Sequence, residues 1–491
     1  MEMIFSGHDY RYAVEQSLLA FFPNERPVYG GADPNTARVA LTPAGAGCAA
    51  ETVLTVDGRT ARGEARLDIP AGADGYERER LKQRAVKLSF FQAARALTGV
   101  TPAWGALTGI RPAKLAAGLL EEGMSVQEAD RVLEETYFVS PERRRLCLQC
   151  AQAGLEAKAA LTPEDISLYV GIPFCPTRCA YCSFVSNSVE KSFHLVEPYL
   201  EALLAEVDSA AAMVRELGLR VKSFYMGGGT PTTLTAAQMD RLLGRLNERF
   251  DMGGVVEYTV EAGRPDTITA EKLAVLRRNG VDRVSINPQS MEDRVLAAIG
   301  RRHSGDDIRA AMELVDAAGF PHVNMDLIAG LPEDTPEGFR RSLDEVIAFG
   351  TDNVTVHTLS LKKGSRITLE GTRIPTVEEV AAMLDYAGPA LRSAGFGPYY
   401  LYRQKYMSGS FENVGWCRPG GTGWYNIYIM EELHSILSLG AGGSTKLVDP
   451  AQNRIERAFN LKFPQEYVQR PEKTAANQAA FRAFYQQMKQ L

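Results

Sequence analysis

Cysteine is scarce in this chain, and long apolar runs are missing. The 491 residues include seven cysteines, and an odd number this small cannot form an internal disulfide framework in which every cysteine is paired. No stretch approaches the ~18 consecutive apolar residues of a membrane span, and the first residues lack the basic and apolar segments of a secretion signal. We therefore expect a cytoplasmic protein without a membrane span, in a reducing compartment.

The chain also lacks a strong excess of charge of either sign. Its formal net charge is -6, which provides no general attraction toward nucleic acid or anionic lipid, so we expect no nucleic-acid partner. Hydrophobic residues make up 45% and charged residues 23%, the balance of a folded globular protein rather than a disordered or fibrous one. The length predicts roughly two to four domains.

Short runs rich in β-branched residues alternate with amphipathic segments over residues 161–396. The alternation predicts parallel strands joined by right-handed crossover helices. The predicted strands are Ser167–Ile172, Val221–Met226, Glu257–Glu261, Arg283–Asn287, His322–Ile328 and Asn353–Ser360. The predicted helices are Val196–Leu217, Ala236–Arg249, Ala270–Arg278, Asp306–Ala318, Pro336–Phe349 and Val377–Ala394. Six such units predict an α/β fold, a partial (β/α)6 barrel with its chemistry at the carboxyl ends of the strands.

The regions on either side of the predicted barrel have different patterns. Residues 1–160 predict a separate α+β domain. Its predicted elements are a helix through Leu19, strands at Ala50–Val56 and Ala65–Ile69, and helices at Tyr76–Leu97 and Val126–Ala160. Residues 397–491 are rich in Tyr, Gly and Trp, and we expect them to form a C-terminal cap.

Three of the seven cysteines lie within eight residues, immediately after the first predicted barrel strand. Cys175, Cys179 and Cys182 have CxxxCxxC spacing. Cysteine thiolates hold iron-sulfur clusters, and three ligands leave one iron of a four-iron cube open. The alternatives are a zinc site or three incidental buried cysteines, but zinc normally takes four ligands and no His or fourth Cys lies nearby. The spacing favours a cluster with an open metal position.

Polar residues follow the ends of the next four predicted strands. The turn Gly227-Gly-Gly-Thr-Pro231 is expected to expose backbone N–H groups to a polar ligand. Glu261, Gln289 and Asp326 lie at or near the ends of the third to fifth strands, where a carboxylate can accept hydrogen bonds from ribose hydroxyls. Arg301 could pair with a ligand carboxylate. The alternative for a lone carboxylate here is a helix cap or a solvated loop residue.

The cysteine motif, with an aromatic residue before its third Cys, resembles the radical S-adenosylmethionine (SAM) superfamily. With the IPFC, GGGTP and DLIAGLP contexts, residues 165–370 resemble the oxygen-independent coproporphyrinogen III oxidase branch. The Trp104-Gly-Ala-Leu-Thr-Gly-Ile-Arg-Pro and Pro398-Tyr-Tyr-Leu-Tyr-Arg-Gln-Lys segments resemble its coproporphyrinogen dehydrogenase subgroup, HemZ. Two positions depart from the pattern. Gly171 stands where much of the family has His, and Ser183 where the best-known coproporphyrinogen enzymes have a further Cys.

The resemblance implies both the cofactors and the residues that bind them. Cys175, Cys179 and Cys182 would hold a [4Fe-4S] cluster whose open iron binds S-adenosyl-L-methionine. Tyr169, Gly228 and Glu261 would contact that SAM molecule. Positions around a second SAM molecule are matched by Tyr181, Gly229, Thr230, Gln289, Arg301, Asp326 and Ser360.

The implied reaction is oxidative decarboxylation of coproporphyrinogen III propionates to vinyl groups, giving protoporphyrinogen IX in anaerobic haem biosynthesis. The implied partners are a porphyrinogen substrate and an electron donor such as a flavodoxin or ferredoxin. The alternatives are radical chemistry on another tetrapyrrole, or a haem-binding chaperone or carrier. Candidate cations for the propionates are Arg302, Arg403 and Lys405, and candidate axial ligands for a carried haem are His303, His322, His357 and His434.

Overall fold

The chain divides into two compact units. The computed structural model describes residues 1–23, 25–183, 187–360, 373–404 and 407–490, without the side chains of Lys191 and Ser408. The first unit comprises Met1–Leu148 and Tyr402–Glu412, and the second comprises Gln149–Leu401 and Asn413–Leu491. Within the described ranges, no helix is both long and apolar enough to cross a bilayer.

The first unit contains a four-stranded sheet with one apolar face. Its elements are β1 (Glu2–Ser6), α1 (Arg11–Phe21), β2 (Thr36–Ala44), β3 (Gly47–Val56), β4 (Arg59–Asp68), α2 (Gly75–Thr98), α3 (Pro112–Glu121), α4 (Val126–Arg131) and the first half of α5 (Pro141–Ala159). The strands lie in chain order, with β1 and β2 parallel and the other pairs antiparallel. Alternate residues of β3, such as Ala50 and Leu54, pack with Val86 and Phe90 of α2, because successive strand side chains point to opposite faces. The predicted α+β architecture is confirmed.

The predicted continuous helix over Val126–Ala160 is wrong. α4 passes into a π-helical turn at Val132–Thr136, and a new helix begins at Pro141. Phe138 between them has a φ of 57°, a left-handed conformation that no helix continues through. Proline also disfavours the helical conformation at the residue before it, while it suits the first position of a helix.

The second unit is built on an eleven-stranded sheet. β6 (Phe174–Cys175) and β7 (Asn187–Ser188) form a separate two-stranded pair outside this sheet. The strands of the second unit are β5 (Asp165–Ile172), β6 (Phe174–Cys175), β7 (Asn187–Ser188), β8 (Arg220–Gly228), β9 (Tyr258–Gly263), β10 (Arg283–Gln289), β11 (His322–Ala329), β12 (Asn353–Thr358), β13 (Gly397–Tyr402), β14 (Asn413–Cys417), β15 (Ile436–Leu439), β16 (Ser444–Asp449) and β17 (Arg454–Phe459). Its helices after α5 are α6 (Val189–Ser192), α7 (Val196–Glu216), α8 (Ala236–Arg249), α9 (Ala270–Arg278), α10 (Asp293–Ala298), α11 (Gly305–Ala318), α12 (Pro336–Ala348), α13 (Val377–Ser393), α14 (Trp424–Glu431), α15 (Pro464–Gln469) and α16 (Pro471–Gln490).

Six strands of this sheet form a parallel block. β5, β8, β9, β10, β11 and β12 lie side by side in that order, and each neighbouring pair is parallel. Their number, direction and order confirm the α/β architecture predicted for this region. Because all six run the same way, their carboxyl ends lie along one edge of the sheet, where ligands bind in such folds.

The C-terminal region adds strands to both sides of the parallel block. β14 pairs antiparallel with β12, and β15 pairs parallel with β5. β16 and β17 continue the sheet beyond β15. The ring of Tyr425 in α14 stacks on that of Tyr225 in β8 at 4.6 Å between centroids, so α14 lies against the parallel block. The strands β13 to β17 of the C-terminal region are thus part of the same sheet as the parallel block.

Candidate cluster and cofactor site

The three cysteines of the motif lie on the loop that follows β5. Cys175 ends β6, which pairs with β7, and all three thiols are half-buried and outside any disulfide. Across the described ranges, no group of three or more His, Cys, Asp or Glu side chains is close enough together to hold a metal ion. The fold therefore brings the three thiols to one loop at the carboxyl end of β5.

The glycine turn after β8 packs against the backbone that leads into the cysteine loop. Gly229 N–H donates to Ile172 O and Thr230 N–H donates to Phe174 O, each at 2.7 Å. A Cβ on Gly229 would lie 2.4 Å from Phe174 O, so only glycine permits this approach. The Thr230 hydroxyl also donates to Cys175 Sγ at 3.6 Å. Of the N–H groups that the turn Gly227–Pro231 was predicted to expose to a polar ligand, those of Gly229 and Thr230 hold the cysteine loop instead.

A buried arginine that sequence reasoning missed also supports the cysteine loop. Arg264 is 3% exposed, and its Nε and Nη2 donate to the two carboxylate oxygens of Asp266 at 2.9 and 2.7 Å. Its Nη1 donates to the Thr177 hydroxyl at 2.9 Å and lies 4.0 Å from Cys179 Sγ. Burial opposes ionisation of Asp266, but Arg264 holds the pKa of this carboxyl below its usual range. The signal in the sequence is the position of Arg264 directly after β9.

Tyr181 and Arg301 connect the cysteine loop to the region that follows β10. Arg301 Nη2 donates to the Tyr181 hydroxyl at 3.2 Å, and Nη1 donates to the carbonyl of Asn287. Close by, the Ala180 N–H donates to Ile299 O at 2.9 Å. Burial raises the pKa of Tyr181, so its phenol is neutral. The structure brings these two predicted site residues together.

Gln289 ends β10 in a conformation that is rare for its residue type. Its φ is 70°, and the pairing of β10 with β11 is irregular at this point. Gln289 Oε1 and Arg301 Nε are both buried and have no hydrogen-bond partner among the described residues. Buried polar atoms normally have partners, and a strained backbone clusters at functional sites. These two atoms therefore fit a polar ligand such as the amino acid or nucleoside part of SAM.

Glu261 lies at the end of β9 among aromatic side chains. The Tyr225 hydroxyl donates to Glu261 Oε1 at 2.7 Å, and the ring of Tyr169 lies 6.4 Å from that of Tyr225. Gly228 has a φ of 109°, and a Cβ there would lie 3.4 Å from Tyr169 Oη. Burial, with a smaller contribution from the nearby charge of Asp326, raises the pKa of Glu261 to about 7. The structure thus places Tyr169, Gly228 and Glu261 close together.

Asp326 in β11 has a neighbour that sequence reasoning did not connect with it. His357 Nε2 in β12 lies 3.8 Å from Asp326 Oδ2, and these side chains are 26% and 16% exposed. Asn324 Nδ2 donates to Asp326 Oδ1 and to the Ser285 hydroxyl, each at 2.8 Å. The last predicted site residue, Ser360, follows β12 and is half-buried.

The three candidate cations for the propionates have different environments. Arg302 has a side chain that is 68% exposed and pairs with Glu190 at 2.9 Å. The interpretation of Arg403 as a cation for the propionates is wrong. This residue is 8% exposed, and its guanidinium donates to the backbone carbonyls of Leu107 and Ser410. Lys405 lies outside the described residues.

The four candidate haem ligands differ in burial and in their position in the sheet. Burial lowers the pKa of His303 to about 4 and that of His434 to about 3. His322 begins β11, at the edge opposite the cysteine loop, and lies 3.8 Å from Asp352. Of these four histidines, His357 is the one that a ligand at the carboxyl edge could reach.

Comparison with known proteins agrees with this geometry. The model of the radical SAM superfamily matches residues 169–346. The oxygen-independent coproporphyrinogen-III oxidase-like protein HemZ of Bacillus subtilis is 40% identical over 404 residues, which cover 81% of each chain. The heme chaperone HemW of Mycobacterium tuberculosis is 32% identical over 328 residues, which cover 65% of this chain and 77% of the relative.

A solved structure of the same kind is also similar. The coproporphyrinogen III oxidase HemN from Escherichia coli, described as a radical SAM enzyme, superposes with a TM-score of 0.53 at 25% identity, covering 66% of this chain and 72% of that chain. The chain therefore belongs to the radical SAM superfamily, in the family of oxygen-independent coproporphyrinogen III oxidase-like proteins that includes HemZ.

Proposed function

We propose that this chain is a radical SAM enzyme that converts propionate side chains of coproporphyrinogen III to vinyl groups, giving protoporphyrinogen IX. The observation that supports it best is that the cysteine loop contacts residues beyond the ends of three successive strands. These contacts run through Thr230 after β8, Arg264 after β9 and Arg301 after β10. A loop fixed in this way at the carboxyl edge is suited to a cofactor that faces the interior of a partial barrel.

The donor set suits the cofactors of this superfamily. Cys175, Cys179 and Cys182 would hold a [4Fe-4S] cluster, and Tyr169, Gly228 and Glu261 would contact SAM. The residues proposed around a second SAM molecule are Tyr181, Gly229, Thr230, Gln289, Arg301, Asp326 and Ser360. When bound, these cofactors would supply the carbon-centred radical for removal of a hydrogen atom from the β-carbon of a propionate. Formation of the vinyl group would then release CO2 and pass one electron to a one-electron acceptor.

The side chains around this site exclude water and supply a hydrogen-bond acceptor. The stacked rings of Tyr169, Tyr225 and Tyr425 form an aromatic wall that excludes water, which radical chemistry requires. Glu261, whose pKa is raised to about 7 by burial, accepts hydrogen bonds from hydroxyl or ammonium groups once it is ionised. A flavodoxin or ferredoxin would serve as the electron donor.

The test uses the full chain, reconstituted anaerobically with iron and sulfide. With reductant, SAM and coproporphyrinogen III, we expect protoporphyrinogen and 5'-deoxyadenosine. Replacing Cys175, Cys179 and Cys182 by Ala should remove the bound iron and both products. Cys417→Ala is the matched control, because Cys417 is also half-buried but lies in β14. Deoxyadenosine formation by the triple variant would contradict the proposal.

A haem carrier is the second candidate function. It is supported by the 32% identity to the heme chaperone HemW and by the partial exposure of His357 beside Asp326. Stable haem binding that is lost in His357→Ala, without turnover of coproporphyrinogen, would favour this function. Turnover of a different porphyrinogen in the same assay would instead identify another tetrapyrrole as the substrate.

A further inference from the structure

We propose that Arg264 is a positioning residue that clamps the cysteine loop and places a positive charge beside Cys179, which raises the reduction potential of a cluster held there. The inference rests on the proposed function only in that the three cysteines hold an iron-sulfur cluster. Arg264 lies in the segment Gly263-Arg-Pro-Asp266 directly after β9. Nothing in the cysteine motif itself requires an arginine at this place.

The clamp is built from charge-assisted hydrogen bonds. Arg264 uses Nε and Nη2 for a two-pronged contact with Asp266 at 2.9 and 2.7 Å, the geometry in which guanidinium–carboxylate pairs are strongest. This contact fixes the plane of the guanidinium and directs Nη1 to the Thr177 hydroxyl at 2.9 Å and to the Thr177 carbonyl at 3.5 Å. The loop between the first two cysteines is therefore held from the end of β9.

The same nitrogen brings the charge to the sulfur. Nη1 lies 4.0 Å from Cys179 Sγ, and the Arg264 side chain is 4% exposed, so water screens the charge weakly. Asp266 carries the opposite charge, but its carboxylate contacts Nε and Nη2, whereas Nη1 is the nitrogen beside the sulfur. Arg264→Gln therefore still removes one positive charge from this neighbourhood. The next ionisable group adds no charge of its own. His303 Nδ1 lies 3.9 Å from Asp266 Oδ1, and burial lowers the pKa of His303 to about 4, which leaves that ring neutral.

The positive charge of Arg264 and its hydrogen bonds lead to separate predictions. Cluster potentials depend on net charge and on hydrogen bonds to the sulfur atoms, and a nearby cation favours the more negative, reduced state. Arg264→Gln removes the charge, while Arg264→Lys keeps it but loses the two-pronged contact. At the potential where the native cluster is half reduced, Arg264→Gln should lower the ratio of reduced to oxidised cluster about tenfold, about 59 mV for a one-electron couple.

The experiment is a redox titration of the reconstituted full chain with dithionite, monitored by the electron paramagnetic resonance signal of the reduced cluster. Arg264→Lys should keep the native potential, whereas hydrogen exchange at the loop amides of Ala180 and Cys182 should become faster in both variants. Arg341→Gln is the matched control, because Arg341 makes the same kind of contact with Glu292 at 2.9 and 2.8 Å but is 61% exposed and outside the loop. Arg341→Gln should change neither the reduction potential nor the exchange rates of Ala180 and Cys182.

The outcomes separate this inference from the proposed function. A native chain that binds no iron would refute the cluster, and with it the proposed enzyme. A native chain with a normal cluster whose potential is the same in Arg264→Gln would refute the role of the charge alone. Unchanged exchange at Ala180 and Cys182 in both Arg264 variants would refute the clamp.

Discussion

Substitution of Gly229 by alanine should separate the glycine turn from the cysteine loop. The added Cβ would lie 2.4 Å from Phe174 O and 2.9 Å from Ile172 O, and both atoms belong to the backbone, so no side chain can rotate away. Relief requires the two segments to move apart, which breaks the hydrogen bonds from Gly229 and Thr230. Overpacking costs roughly 1–3 kcal/mol and each hydrogen bond about 1 kcal/mol, so the local opening free energy should fall by about 3–5 kcal/mol.

Amide hydrogen exchange measures this local effect in a chain of two compact units, where a single unfolding free energy is not well defined. In Gly229→Ala the Thr230 amide should exchange roughly 100-fold faster or more, a factor that follows from this loss of opening free energy, and the reconstituted protein should hold less iron. Gly244→Ala is the control, because a Cβ there comes no closer than 4.0 Å to Asn279 Oδ1. Alanine in the interior of a helix should stabilise α8 by roughly 0.5–1 kcal/mol. Native exchange at Thr230 in Gly229→Ala would refute the reasoning.

Three further predictions concern buried carboxylates. Burial raises the pKa of Glu206 to about 7 from an ordinary 4.5, so the stability that this group contributes is complete below about pH 4.5 and is lost as the pH rises through about 7. Glu206→Gln should therefore raise the thermal midpoint at pH 8 but not at pH 4, and equal shifts at both would contradict the assignment. Because burial raises the pKa of Glu261 to about 7, this carboxyl group ionises between pH 6 and pH 8. We therefore expect SAM to bind more tightly at pH 8 than at pH 6 in equilibrium dialysis, and Glu261→Gln should abolish this pH dependence. Glu412 accepts from Trp104 Nε1 at 2.6 Å and pairs with buried Arg143 at 3.0 Å. Glu412→Ala should therefore lower the opening free energy of the first unit by about 3–5 kcal/mol, measured by amide hydrogen exchange within that unit, and Glu412→Gln, which keeps an acceptor, should lower it by less.

Elements with strong local signals could be predicted from the sequence. The helices Ala236–Arg249 and Ala270–Arg278 have the predicted bounds. Thr235 caps the first of them, accepting from the Gln238 N–H while the Gln238 side chain accepts in return, and such capping boxes are readable from adjacent residues. The parallel strands were also predicted, because a buried parallel strand is a short apolar run between helices.

The contacts that build the site depend on residues far apart in the chain, and no local pattern encodes them. Arg264 follows β9 and Thr177 lies in the loop after β5, so their hydrogen bond exists only once the parallel sheet has formed. Arg403 was predicted to contact substrate and does not, again because tertiary packing decides its environment. Its charge suggested a substrate contact, but tertiary packing buries it against the carbonyls of Leu107 and Ser410.

The strand that the C-terminal region adds beside β5 accounts for the departure at Gly171. β15 pairs with β5, and the turn after it brings Ala441 O to 2.8 Å from where a Cβ on Gly171 would lie. Tyr199 fixes this approach, since its hydroxyl donates to Gly171 O at 2.6 Å and accepts from the Ala441 N–H at 2.9 Å. The histidine that much of the family has at this position would collide with that turn. Glycine at position 171 therefore permits the close approach of the turn after β15, and it leaves the three cysteines and their supporting contacts intact.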